Sequence, residues 1–139
     1  MQLATILSLV SLIATVQARC YSLKDAPGET WGSKQALARE VVDKLCSGSD
    51  SIYGSLNGTY GADGDSSQHR LKQMTFGMPY NTWQQHMAFE IWHLKSGQRY
   101  LGYEECKSGL NKEVNCDAGG RTAYENWEYR ADIGPGEQY

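Results

Sequence analysis

HMAFEIWHL, residues 86–94, is the stretch on which the fold turns. Met87, Phe89 and Ile91 alternate with His86, Glu90 and Trp92, with Ala88 among them. A period of two over such a run predicts a strand with one face in a core. Ser96-Gly97 follows as a turn, and Gln98 to Tyr103 is expected to return antiparallel as the other arm of a hairpin. Near the C-terminus, Trp127, Tyr129 and Ala131 alternate with Glu128, Arg130 and Asp132, which predicts a last strand over 124–132. Leu71 to Phe76 reads as another strand, Cys106 as part of a turn or helical piece, and Asn111 to Cys116 as a short strand punctuated by Gly119-Gly120. The stretch 47–67, rich in Gly, Ser, Asp and Asn, reads as turns with at most one short strand.

One segment has the helical period instead. Ala38, Val41, Val42 and Leu45 recur three and four apart, with Leu37 broadening the stripe and Lys34, Arg39, Glu40 and Asp43 between them. Ser33 is the expected N-cap and Gly48 stands where a C-terminal glycine belongs. One early helix followed by mostly antiparallel strands predicts an α+β domain, with the main amphipathic helix packed on one face of the sheet.

The N-terminus sets the compartment. Leu3 to Val16 is apolar apart from Thr and Ser, too short to span a bilayer comfortably, and Val16-Gln17-Ala18 has the small-residue pattern of a signal-peptidase site. Residues 1–18 are therefore expected to be a signal peptide cleaved after Ala18, and 19–139 a single secreted, extracellular domain without membrane insertion. Cys20, Cys46, Cys106 and Cys116 make an even count, which in such a domain reads as two disulfides. Three pairings are open; the expected one is Cys20–Cys46 with Cys106–Cys116, because each closes a local loop. Their spacing is not that of a zinc site, and His69, His86 and His93 lie far from them in sequence, so no metal or other cofactor is expected. Asn57-Gly58-Thr59 is an N-glycosylation sequon in a loop expected to be exposed. A net charge of −3 gives no broad attraction for nucleic acid or anionic lipid, and His69, Arg70 and Lys72 make only a small basic patch. Nothing in the chain specifies an oligomeric state.

Two kinds of function compete. His86, Glu90, His93 and Arg99 are the residue types from which a secreted ribonuclease assembles an acid, a base and a phosphate clamp. A solvated strand face explains the same residues. There is no Gly-x-Ser-x-Gly elbow and no His-Glu-x-x-His, and oxidised cysteines are poor nucleophiles. The primary expectation is accordingly a non-catalytic protein, with a hydrolytic, ribonuclease-like effector or toxin as the alternative. Binding has its own signal: nine Tyr and four Trp against two Phe. Tyr and Trp pair a flat apolar ring with a hydrogen-bonding group, which suits sugar rings, while carboxylates and Arg bond hydroxyls. The expected glycan site is Trp92, Glu90, His86 and Arg130, provided the two strands are neighbours in register. The competing expectation buries Trp92 beneath the helix.

The order of these landmarks also resembles a known group. Cys20-Tyr21-Ser22, Trp31, the helix ending Leu45-Cys46, and the strand around Phe89 and Trp92 come first. Then follow Cys106-x-x-Gly109-Leu110-x-x-Glu113-Val114-x-Cys116, Gly119-Gly120, Trp127-x-Tyr129-Arg130-Ala131-Asp132 and Gly136. This resembles the small secreted glycan-binding proteins of mushrooms of the Y-three type, over nearly all of residues 19–139. The resemblance implies an αβ single domain, a fungal source, and lectin-like binding of extracellular or cell-surface glycans in a defensive or cytotoxic role. The chain departs from that pattern in lacking a cysteine near Leu71 to Met74 and another after Gly136.

Overall fold

The computed structural model of the chain describes residues 19–22, 30–48, 55–78 and 81–135. The expected signal peptide and the tail beyond 135 lie outside them. A short 3-10 turn, Gly32–Lys34, leads into α1, Gln35–Ser47. Then come β1 (Gly58–Tyr60), β2 (His69–Met78), β3 (Asn81–His93), β4 (Arg99–Leu101), α2 (Tyr103–Val114), β5 (Gly119–Ala123) and β6 (Trp127–Pro135). Four strands form one antiparallel sheet in the order β2-β3-β6-β5, and β1 and β4 form a separate two-stranded ladder. The architecture is the expected α+β one, with a second helix added.

The alternation in β3 does what its period requires. Met87, Phe89 and Ile91 are buried on the inner face, where Tyr129, Ala131 and Ile133 of β6 and Ala38, Val42 and Leu45 of α1 join the same core. Trp31, just ahead of α1, stacks parallel to Phe89 with ring centroids 6.3 Å apart. Each such large apolar side chain contributes roughly 1.5–3 kcal/mol on burial. Leu37 does not broaden the stripe; it is 39 % exposed. Ser33 does not cap α1 either, because the 3-10 turn occupies that position and no side chain caps the helix. Gly48 closes α1 in the left-handed conformation, as expected.

Three local expectations are overturned. Residues 98–103 do not return along β3: Arg99–Leu101 pairs instead with Gly58–Tyr60, so the partner of β4 lies far back in the chain. The segment 111–116 is not a strand but runs through the last turns of α2 and just past its end. The buried side of that helix is Cys106, Gly109, Leu110, Glu113 and Val114, a three-and-four spacing interrupted by one charged residue.

The disulfide pairing is the third. The bonds are Cys20–Cys116 and Cys46–Cys106, with Cα atoms 5.2 and 5.6 Å apart. The local pairing fails on helix geometry. Cys106 and Cys116 are separated by the length of α2, ~15 Å at 1.5 Å per residue, and a disulfide needs Cα atoms within ~7 Å. Cys46, near the end of α1, instead meets Cys106, near the start of α2. At the other end Gln35 Nε2 donates to the carbonyl of Val114 at 2.8 Å, so the two helices run antiparallel.

Candidate functional site on the outer sheet face

The helices cover one face of the four-stranded sheet, and no other described element covers the opposite one. Register decides what stands there. His69 pairs with Trp92 and Leu71 with Glu90 across β2 and β3. Glu90 pairs with Arg130, Trp92 with Glu128 and Ala88 with Asp132 across β3 and β6. Arg121 of β5 lies opposite Arg130. Side chains at such paired positions on one face are neighbours, so the pattern brings carboxylates, cations and one large ring into contact.

Two rows result. In the first, the His69 imidazole lies parallel to the Trp92 ring, 4.4 Å between centroids and 11° between planes. The Arg121 guanidinium sits 4.6 Å from the same ring. His69 comes from the β2 side and Arg121 from the β5 side, so the two approach opposite faces of the indole. Arg121 is fixed in turn by Glu128, its Nε donating to Oε1 at 2.6 Å. In the second row Glu90, only 6 % exposed, is held at both oxygens. His69 Nε2 lies 2.8 Å from Oε1, and Arg130 Nη1 donates to Oε2 at 2.7 Å. Arg130 Nη2 donates to Asp132 Oδ2 at 2.8 Å. A carboxylate this buried is tolerable because both oxygens have charged or polar partners.

The N-terminal segment completes the face. Cys20 forms an antiparallel bridge to Gly120, and Tyr21 N–H donates to the Gly119 carbonyl at 2.9 Å. This lays residues 19–21 along the outer edge of β5. Tyr21 lies close to Arg130 and Asp132; burial pushes its phenol pKa up, and Arg130 partly offsets that.

Of the expected site residues, Trp92, Glu90 and Arg130 are brought together. His86 is not with them: it stands on the same strand but four residues from Glu90, ~13 Å along the chain direction. The imidazole at Glu90 is His69, which the sequence presented only as part of a small basic patch. Trp92 is half-buried, though not beneath the helix, and its ring faces are taken by His69 and Arg121. The rest of the expected hydrolytic grouping disperses. His93 turns inward, its Nδ1 2.8 Å from the Gly61 carbonyl and its ring against Trp127, while Arg99 belongs to the other ladder. Tyr21 and Arg121 escaped notice because each depends on which strand lies beside which.

Elsewhere the surface offers less. A shallow cleft between α2 and the β5–β6 turn is lined by Glu105, Ser108, Lys112, Tyr124 and Asn126. The indole and phenol at its base, Trp127 and Tyr129, are 2 % and 3 % exposed and present no ring face to a ligand. Asn57 of the sequon is half-buried rather than exposed, and its side-chain oxygen accepts from the Ser55 hydroxyl. All four cysteines are in disulfides, and among the described residues no group of His, Cys, Asp or Glu is placed to hold a metal ion. Among the described residues, too, no helix is long and apolar enough to cross a membrane. No family model matches the chain, and no curated protein matches it.

Proposed function

We propose that this is a secreted, lectin-like glycan-binding protein that receives extracellular or cell-surface sugars on the outer face of the four-stranded sheet. The observation that carries the reading is the pair of rows, His69–Trp92–Arg121 and Glu90–Arg130–Asp132, side by side on a face that no other described element covers. Sugar hydroxyls need donors and acceptors at fixed spacing. Here the planar groups of Arg121, Arg130, Glu128 and Asp132 hold one another in place, which cuts the side-chain entropy lost on binding. The exposed imidazole of His69 and Leu71, 42 % exposed, supply an apolar ledge beside them. Trp92 is then the support of the site rather than its stacking platform. The disulfides and the resemblance to Y-three-type proteins point the same way.

The test is a glycan array probed with the oxidised chain beginning at Arg19, followed by titration of any hit. Trp92→Ala should weaken binding at least tenfold, because His69 and Arg121 lose their common support, while thermal unfolding stays cooperative. A folded Trp92→Ala protein with undiminished affinity would move the site elsewhere. Silence across a broad array would reject sugars as the ligand.

One observation favours the hydrolytic alternative. His69 is oriented by a buried carboxylate beside a guanidinium, a set that suits proton transfer next to a phosphodiester. If Nε2 of His69 donates to Glu90, Nδ1 is the nitrogen that accepts a proton. Against it, both Glu90 oxygens and both Arg130 Nη nitrogens are already engaged. Incubation of the protein with RNA separates the readings: cleavage abolished by His69→Gln would establish the enzyme, and no cleavage above a heat-inactivated control would end it.

A further inference from the structure

Glu113 is an anomaly that the outer face does not explain. It sits on the inner side of α2 with 0 % exposure, and neither carboxylate oxygen has a hydrogen-bond partner among the described residues. Burial raises its pKa to about 7, with the Thr122 hydroxyl and Lys112 pulling weakly the other way. A buried carboxylate without a counter-ion is costly and rarely retained without reason.

Its surroundings point to a partner. Gly120 faces Glu113 from β5, and a Cβ there would lie 2.6 Å from Glu113 Oε2 and 2.7 Å from the carbonyl oxygen of Arg19. The absent side chain is thus the gap through which the carboxylate reaches the backbone of the N-terminal segment. That segment is firmly held: Arg121 N–H donates to the Arg19 carbonyl at 3.1 Å, and Cys20 is bonded to Cys116. Arg19 N itself donates to Thr122 Oγ1 at 2.6 Å, and the same hydroxyl is near enough to Glu113 to pull its pKa down. Arg19 is the residue that cleavage after Ala18 would leave first.

We propose that the pocket formed by Glu113, Thr122 and Gly120 is a receptor for the chain's own α-ammonium, created when the Ala18–Arg19 bond is cut. Hydrolysis of that bond consumes one water, leaves the new carboxylate on Ala18 and frees the Arg19 amine, which takes up a proton. The amide of the uncut chain has one N–H, already spent on Thr122. The ammonium has three, so two remain for Glu113, and a positive charge arrives where an unpaired negative one is buried. Processing thereby installs the counter-ion, and the uncut chain carries the penalty. The other groups acting here are Lys112 on α2 and Tyr124 beyond β5, whose phenol is pushed up by burial and by the Glu113 charge.

The sign follows. Without the ammonium, the folded pKa of Glu113 lies above its ordinary value, so stability falls as pH rises from about 4.5 through about 7. With it, that loss is reduced. The experiment compares the chain starting at Arg19, its terminus verified by intact mass, with the same chain N-acetylated at Arg19. The Glu113 carboxyl carbon is titrated by NMR in both. Glu113 should titrate at least one unit lower in the free-amine form, and the α-amine above its ordinary value of about 7.7–8.0. Urea midpoints of the two forms should coincide near pH 4 and separate as the pH rises from about 4.5 to about 7, and Glu113→Gln should abolish the separation. Identical Glu113 titrations in the two forms would overturn the proposal, as would a secreted protein that begins at any residue other than Arg19. Should Glu113→Gln fail to fold, the acetylation pair decides alone.

Discussion

Glu90 shows what a single buried charge demands. It is sheltered by His69 on one side and Arg130 on the other, and its position is sound only while both remain. Arg130→Ala removes the stronger partner and is expected to cost about 3–5 kcal/mol, read as a lowered urea midpoint at neutral pH. Glu90→Gln, which removes the charge itself, should cost less. A second residue-scale constraint is steric. A Cβ on Gly109 would lie 2.3 Å from the ring of Tyr129, where α2 crosses β6. Gly109→Ala should therefore destabilise by about 1–3 kcal/mol despite alanine's better helix propensity, since neither strand nor helix can easily retreat. Thermal unfolding would show the sign, and a raised melting temperature would refute it. His69 marks the limit of residue-level reading. Its chemistry was visible in the sequence, but nothing in its neighbourhood along the chain announced that it, rather than His86, would meet Glu90.

At the scale of elements, the long period-two run and the helix at 35–47 were legible because each buries one face and exposes the other. The second helix was not. Cys106, Gly109, Leu110, Glu113 and Val114 carry the correct spacing, but a glycine and a glutamate within the stripe lower its apolar contrast. The charge that disguised the helix is the one whose partner is proposed to be the processed N-terminus. The two helices are held together by Cys46–Cys106, which spans 60 residues of chain. Replacing both by alanine should cost roughly 4 kcal/mol on the loop-entropy estimate, measured by denaturant unfolding. Digestion without reduction should release the peptides of Cys46 and Cys106 linked, and those of Cys20 and Cys116 linked. A Cys106–Cys116 peptide would contradict the helix.

The whole molecule is small for the core it must bury. A domain of this size buries a limited share of its surface, so its cross-links matter more than they would in a larger one. Reducing both disulfides is expected to lower the melting temperature by on the order of 30 °C, followed by near-UV circular dichroism with and without reductant. The proposed glycan binding should fail with the fold, because Cys20–Cys116 holds the segment that carries Tyr21 to the outer face. The two-layer arrangement also separates the two chemistries: helices and core on one side of the sheet, and the charged and aromatic rows on the other.

By itself the sequence determined the class of fold, the strand carrying Trp92 and Glu90, the main helix, and the fact of two disulfides. Each of these follows from local periodicity or from composition, which encode how an element divides between core and solvent. Only the tertiary structure decided which strand flanks which, that His69 and Arg130 grip Glu90, that β4 belongs with β1, and that the disulfides run between distant segments. Those outcomes depend on contacts between residues tens of positions apart. A strand's period states which side chains face outward, and only its neighbours' register states what they will touch.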